Sequence, residues 1–307
     1  MHFPISGVVI DPILLVALGF VVGILGGLFG VGGSFLAGPA LFALGMPMNF
    51  VVGTDLTHIV GKSIVAARKH WSLGGVDFRL ALIMVLGTIA GIQVGVTGIE
   101  ALKKLGDVNL VVGVIAIIVY TLISVFVAFE SWKSLQLPLG KKSMAATPAA
   151  HKDKQVFGGF AKWVQELPLG PRISLPFSGV KSISVAAILL VSFVGGVFSS
   201  FLGGGAGYIR MPSMVYLLGI PTHIAVGTDL FEIVVSASIG SWEHAMKGNV
   251  DVLVALIMQT GAAVGAQIGA TLTQYFSGPR LRMAFAPLPL LGAGLIVYGL
   301  LHGQQVK

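Results

Sequence analysis

The pentapeptide Val52-Gly53-Thr54-Asp55-Leu56 returns unchanged as Val226-Gly227-Thr228-Asp229-Leu230. Each copy follows a glycine-rich turn, Gly30-Val31-Gly32-Gly33-Ser34 in the first case and Gly203-Gly204-Gly205-Ala206-Gly207 in the second. At the same shift of 174 residues, Gly45 and Pro47 meet Gly219 and Pro221, and Val76-Asp77 meets Val250-Asp251. Ala81-Leu82-Ile83-Met84 meets the same four residues at 255–258. His70 meets His244, and Gly91, Gln93 and Gly95 meet Gly265, Gln267 and Gly269. Apolar sequence matches itself by chance at Gly, Leu and Val, but rarely at Asp, His and Gln in register. The expected organisation is two homologous halves, residues 1–130 and 182–307, joined by a linker at 131–181.

Only 10% of the 307 residues are charged and 55% are hydrophobic. Soluble domains carry about 25% charged residues, so lipid must be the main solvent of this chain. The absence of cysteine excludes disulfides, thiolate catalysis and cysteine metal sites. The net charge of +7 is concentrated in the linker, which holds eight Lys/Arg and two Asp/Glu. That asymmetry reads as a cytoplasmic loop obeying the positive-inside rule rather than as a nucleic-acid surface; a patch for anionic lipid or a partner is the other reading. Met1-His2-Phe3-Pro4 lacks the basic start of a secretory signal, and the apolar run after Asp11 reads as a retained helix.

The halves share one order of elements, and the expected class is an all-α polytopic membrane protein without strands. In the first half a span at 12–29 ends in the glycine turn. A piece at 35–46 follows, too short to cross a core about 30 Å thick. A more polar helix at 49–67 carries Thr54, Asp55, His58, Lys62 and Ser63, and spans at 80–97 and 108–129 close the half. The second half repeats this as a span at 183–201, a short piece at 208–218, a polar helix at 222–241 and spans at 252–272 and 283–301. In the linker, Phe157, Phe160, Ala161, Trp163, Val164 and Leu167 could line one face of a short interfacial helix, or belong to an ordinary loop. The short elements imply broken or re-entrant helices. With the basic linker inside, inverted halves put Arg68, Lys69, Arg79, Arg280 and Arg282 inside as well, whereas parallel halves put Arg280 and Arg282 outside. The inverted arrangement fits the charge rule better.

Gly30-x-Gly32-Gly33 with Pro39, the turn Gly45-x-Pro47 and the Val-Gly-Thr-Asp-Leu block, all present twice, resemble the TauE/SafE family. The resemblance covers nearly the whole chain except the linker. It implies an integral membrane protein with two homologous halves that exports sulfite, sulfoacetate or a related small sulfur-containing anion. Two departures stand out: Ala206 where the pattern often has Gly, and a 51-residue linker longer than is usual.

Gly27 to Ser34 comes within one residue of a phosphate-binding P-loop, but Gly33 stands where the phosphate-binding lysine belongs. Each turn therefore reads either as a helix break for close packing or as the exposed start of a half-helix. The N-terminus of such a half-helix favours anions. On the second reading Gly32, Gly33, Ser34, Gly205 and Gly207 contact the substrate, with Thr54 and Thr228 beside them. Lys62 and Arg210 are the candidate cations within the membrane; an Arg fork suits sulfonate oxygens. Their alternative is snorkelling, or neutralising a nearby Asp. Asp55 shares a helix face with His58 and Lys62, and Asp229 with Glu232 and Ser236. Buried acids are usually paired or functional. Asp55, His58, Asp229 and Glu232 are the candidates for proton coupling, with helix capping as the structural alternative. His70 and His244 are expected at the interface, and Gln93 and Gln267 in interhelical hydrogen bonds.

The chain is expected to be a secondary transporter of a small anion, working by alternating access. Its partners are the anion and membrane lipid, with no cofactor and no metal; a homodimer stays open. An anion channel and a membrane scaffold with a basic linker are the rival readings. An intramembrane enzyme is disfavoured, since H-E-x-x-H and G-x-S-x-G motifs are absent.

Overall fold

The computed structural model describes residues 1–106, 108–136, 159–166 and 170–302. Helix α1 (Pro12–Phe29) starts at Asp11, whose carboxylate accepts from Ile13 N at 2.8 Å, with Pro12 in the first turn. It stops at Gly30, which adopts the left-handed region with φ 75°. Then follow α2 (Ser34–Ala43), α3 (Met48–Ser72), α4 (Phe78–Leu105) and α5 (Val108–Gln136). A short α6 (Gly159–Glu166) precedes a hairpin of β1 (Arg172–Leu175) and β2 (Val180–Ser184). The second half contains α7 (Val185–Leu202), α8 (Gly207–Tyr216), α9 (Thr222–Met246) and α10 (Val252–Leu272), then α11 (Gly278–Phe285) and α12 (Leu288–His302).

Eight helices among the described residues are long and apolar enough to cross a membrane: α1, α3, α4, α5, α7, α9, α10 and the stretch Gly278–His302. Large apolar side chains along them are exposed, as at Leu86, Leu122, Leu190 and Leu256. Such faces suit lipid as solvent. The short pieces α2 and α8 have ten residues each, as their lengths in the sequence predict.

Two features depart from the expectation, and a third decides between two readings of the linker. The β1–β2 hairpin is a strand pair where none was expected. The last span is broken after Phe285, because Pro287 lacks an N–H to continue the ladder; within the break the Ala286 carbonyl accepts from Ser124 Oγ at 2.5 Å. The linker helix α6 forms with Ala161 buried and Trp163 exposed, while Phe157 and Leu167 lie outside the described residues.

The packing exchanges partners between the halves. Helix α1 packs along α10, and α7 packs along α4. Both seams are lined by glycines four residues apart: Gly19, Gly23 and Gly27 face Met258, Ala262 and Ala266, and Gly87, Gly91 and Gly95 face residues of α7. Small residues at this spacing let backbones approach closely, which is how helices gain contact inside a bilayer. Helices α3 and α9, which carry the repeated pentapeptide, pack on each other at the centre.

Hydrogen bonds exchange in the same way. The hydroxyl of Thr54 accepts from Asp251 N at 2.9 Å, and that of Thr228 accepts from Asp77 N at 2.9 Å. Asp251 and Asp77 cap the starts of α10 and α4. Each carboxylate in turn accepts from a serine at 2.6 Å, Ser6 on Asp251 and Ser178 on Asp77. Ser6 lies in the turn between His2 and Val9, and Ser178 in the β1–β2 turn; the next residues, Gly7 and Gly179, have φ of 75° and 73°. A threonine, a capping aspartate and a hairpin serine thus form two clasps, each tying one half to the other. Replacing Asp77 or Asp251 by Ala removes a cap and a buried acceptor, an expected loss of about 1–3 kcal/mol each. Thermal unfolding in detergent checks this; unchanged transitions for both variants would make the clasps ornamental.

Candidate functional site

The two glycine turns meet at the centre of the bundle. Gly207, the first residue of α8, lies against the backbone of Val31: a Cβ built there would fall 2.5 Å from Val31 Cα. Each turn also rests on the pentapeptide of the other half, Gly30 on Val226 and Gly203 on Val52. Positive φ at Gly30, Gly32, Gly33, Gly203 and Gly205 lets the chain reverse in so little space. Ala206 takes the same left-handed region at φ 50°, a strained choice for a residue with a Cβ. The side chain of Ser34, which begins α2, lies outside the described residues.

Arg210 enters this centre one turn into α8. It is fully buried, as are Asp229 and Glu232. Arg210 Nε donates to Asp229 Oδ1 at 2.8 Å, and Nη1 lies 2.5 Å from Glu232 Oε2. Nη1 also reaches Thr88 Oγ1 of α4 at 3.4 Å, and Ser236 Oγ donates to Glu232 Oε2 at 3.2 Å. The stem of Arg210 needs a glycine opposite it: a Cβ on Gly195 of α7 would fall 2.6 Å from Arg210 Cδ. Three polar atoms of the triad find no hydrogen-bond partner: Arg210 Nη2, Asp229 Oδ2 and Glu232 Oε1. Asp229 Oδ2 lies 2.6 Å from where a Cβ on Gly207 would stand, so this carboxylate sits at the start of α8. The positive end of a half-helix stabilises it there.

A second cluster lies on α3. His58 Nδ1 is 3.4 Å from Asp55 Oδ1 and 3.4 Å from Lys62 Nζ. All three residues are buried. One ring nitrogen cannot donate to the acid and accept from the amine at once, so the tautomer decides which neighbour it serves. Asp55 Oδ2 and His58 Nε2 find no partner. Tyr208, two residues before Arg210, is buried, and its ring meets that of Tyr120 at 5.1 Å.

Of the residues singled out in the sequence, the structure gathers Asp229, Glu232 and Arg210 in one triad, and Asp55, His58 and Lys62 in another. Arg210 pairs with both acids, so the surroundings of Asp229 are not purely acidic. The hydroxyl oxygens of Thr54 and Thr228 are engaged in the clasps. His70 and His244 are buried rather than interfacial: their Nε2 atoms bond the carbonyls of Gly27 at 2.9 Å and Ser200 at 3.0 Å. Those carbonyls belong to the last turns of α1 and α7, which the glycine breaks leave without helical donors. Gln93 donates to Glu243 Oε1 at 2.7 Å, an interhelical bond as expected. Thr88, Tyr120 and Gly195 escaped sequence reasoning, because nothing local marks a residue that meets Arg210 or Tyr208 from another helix.

Comparison with known proteins places the chain in a family. The family model described as sulfite exporter TauE/SafE matches residues 15–296. The chain belongs to the sulfite exporter TauE/SafE family. Curated relatives of this TauE/SafE chain include the probable membrane transporter protein YunE of Bacillus subtilis, 27% identical over 94% of this chain and 98% of the relative. The probable membrane transporter protein YjnA of the same organism is 21% identical over 90% and 96%. A third, YdhB, also a probable membrane transporter protein of Bacillus subtilis, is 35% identical over 36% of this chain and 45% of the relative. No solved structure matches. This TauE/SafE chain is an integral membrane protein, and the family and the names of its relatives indicate a transporter rather than an enzyme.

Proposed function

We propose that the protein moves a small anion, sulfite or a related organosulfur anion, across a bacterial-type plasma membrane by alternating access between two inverted halves. The observation that carries this reading is Arg210, a fully buried guanidinium at the meeting point of two broken helices. Its planar fork matches a sulfur oxyanion in shape and charge, and the start of α8 adds a partial positive charge beside it. Lys62 is the second cation of the pathway. Asp55, His58, Asp229 and Glu232 carry the coupled protons, and the backbone of the glycine turns at Gly32, Gly33, Ser34, Gly205 and Gly207 borders the anion. Thr54 and Thr228 hold the helices around it. The basic linker faces the cytoplasm. The seal over both clusters favours a carrier over an open pore, because ions in a pore need a continuous wet path.

Purified protein reconstituted in liposomes should take up at least one of sulfite, thiosulfate, sulfoacetate and sulfate with saturable kinetics, and a pH gradient should change the rate. Flux that fails to saturate would instead favour a channel. No flux of any of the four would sink the transporter reading.

A further inference from the structure

We propose that Asp229 and Glu232 occupy the anion site as built-in competitors, so that the substrate anion binds Arg210 only together with protons and the two travel in the same direction. This rests on the transporter reading above and adds the direction and order of coupling. Arg210 has two of its donor nitrogens on these carboxylates, at 2.8 Å and 2.5 Å. With both acids ionised, the triad carries one net negative charge in a fully buried place. A further anion would be repelled there, since like charges in low dielectric interact strongly.

The atoms left over suggest how the competition ends. Protons have acceptors waiting on Asp229 Oδ2 and Glu232 Oε1, neither of which has a hydrogen-bond donor. Neutral carboxyls no longer hold the guanidinium, and the triad then carries one net positive charge. Arg210 Nη2, also without a partner, is the donor available to the anion. Loaded with a monoanion and two protons, the triad is neutral, and with a dianion such as thiosulfate it carries the same single negative charge as the empty form; empty and deprotonated, Arg210 returns closed on its own acids. Both forms avoid carrying a bare cation through the membrane, whereas an anion without protons would cross as a multiply charged cluster. Among the described residues no stronger competitor surrounds the triad. Helices α4 and α7 meet Arg210 through Thr88 and Gly195. Among the described residues, the other titratable groups near the triad are Tyr208 on α8, Tyr120 on α5, Asp55, His58 and Lys62 on α3, and His70 and Asp77, which meet Gly227 and Thr228 just before Asp229.

The test uses the full-length protein in liposomes, with thiosulfate as probe, or sulfoacetate where thiosulfate is not carried, and pyranine in the lumen. Between pH 6 and pH 8 the KM of the wild type should rise with pH, towards a limiting slope of about tenfold per pH unit for each proton required. Anion entry should acidify the lumen with the membrane potential clamped. In the double variant Asp229→Asn, Glu232→Gln, thermal stabilisation by the same anion should lose its pH dependence. A wild-type KM independent of pH, or a lumen that turns alkaline as the anion enters, would overturn the proposal while leaving the transporter reading intact. Both wild-type readouts hold even where the double variant fails to fold. Absence of flux for all four anions tested above would remove both readings together.

Discussion

Arg210→Lys should lower anion flux by about tenfold or more while the protein still reconstitutes as a folded carrier. Arginine serves Asp229 through Nε and Glu232 through Nη1, two nitrogens in one plane. An ammonium keeps the charge but cannot reach both acids from one rigid fork, nor present the flat pair of donors that suits an oxyanion. Arg210→Ala tests the other half of the argument. It leaves two buried carboxylates without a cation, an expected cost of about 3–5 kcal/mol. That loss should be partly recovered by adding Asp229→Asn and Glu232→Gln, because the neutral groups no longer need the guanidinium. Wild-type flux in Arg210→Lys would take Arg210 out of the anion path, and equal stability of Arg210→Ala with and without the acid substitutions would dissolve the triad as a unit.

The second large effect is expected from a single methyl group. Gly207→Ala should abolish flux and lower the unfolding temperature sharply. The added Cβ would lie 2.5 Å from Val31 Cα and 2.6 Å from Asp229 Oδ2. Neither neighbour is the loose end of a flexible side chain. One is backbone of the opposing turn, and the other is an acid held by Arg210. Overpacking of this kind costs about 1–3 kcal/mol or more, and here it would also push Asp229 off its partner. Gly294→Ala on α12 is the control, with nothing within 4 Å of its Cβ; its stability and flux should stay near wild type. If the two variants behave alike, close approach of the turns is not needed for transport.

Much of this architecture could be read in the residues, because lipid imposes simple length rules. The first span, Pro12–Phe29, is bounded by Asp11-Pro12 and Gly30, each a local signal of a helix end. The short pieces between glycine turn and proline turn were visible for the same reason. Local chemistry also placed Asp55, His58 and Lys62 on one helical face, at three and seven residues' separation, and the structure keeps them together. What sequence spacing could not supply was contact between elements. Arg210 lies 19 residues before Asp229, on another helix, and only the reversal at 217–221 brings them together. The hairpin before α7 escaped notice because four- and five-residue strands leave little periodicity. Its signal was Ser178-Gly179, which repeats Ser6-Gly7 ahead of α1. The interfacial expectation for the two histidines failed for a related reason: the carbonyls they satisfy belong to helices broken elsewhere.

The exchange of helix partners also has a consequence for how the protein is made. Helix α1 finds its glycine-lined seam only on α10, so Gly19 must wait for Met258, roughly 240 residues later in synthesis. At ribosomal speeds of about 5–20 residues per second, that delay is on the order of ten to fifty seconds. During this time α1 sits in the bilayer with its small-residue face uncovered, open to any other helix that the insertion machinery supplies. Halves produced as separate polypeptides in one cell face the same wait without a shared chain to shorten it. Their yield of assembled protein should therefore follow the timing of their synthesis.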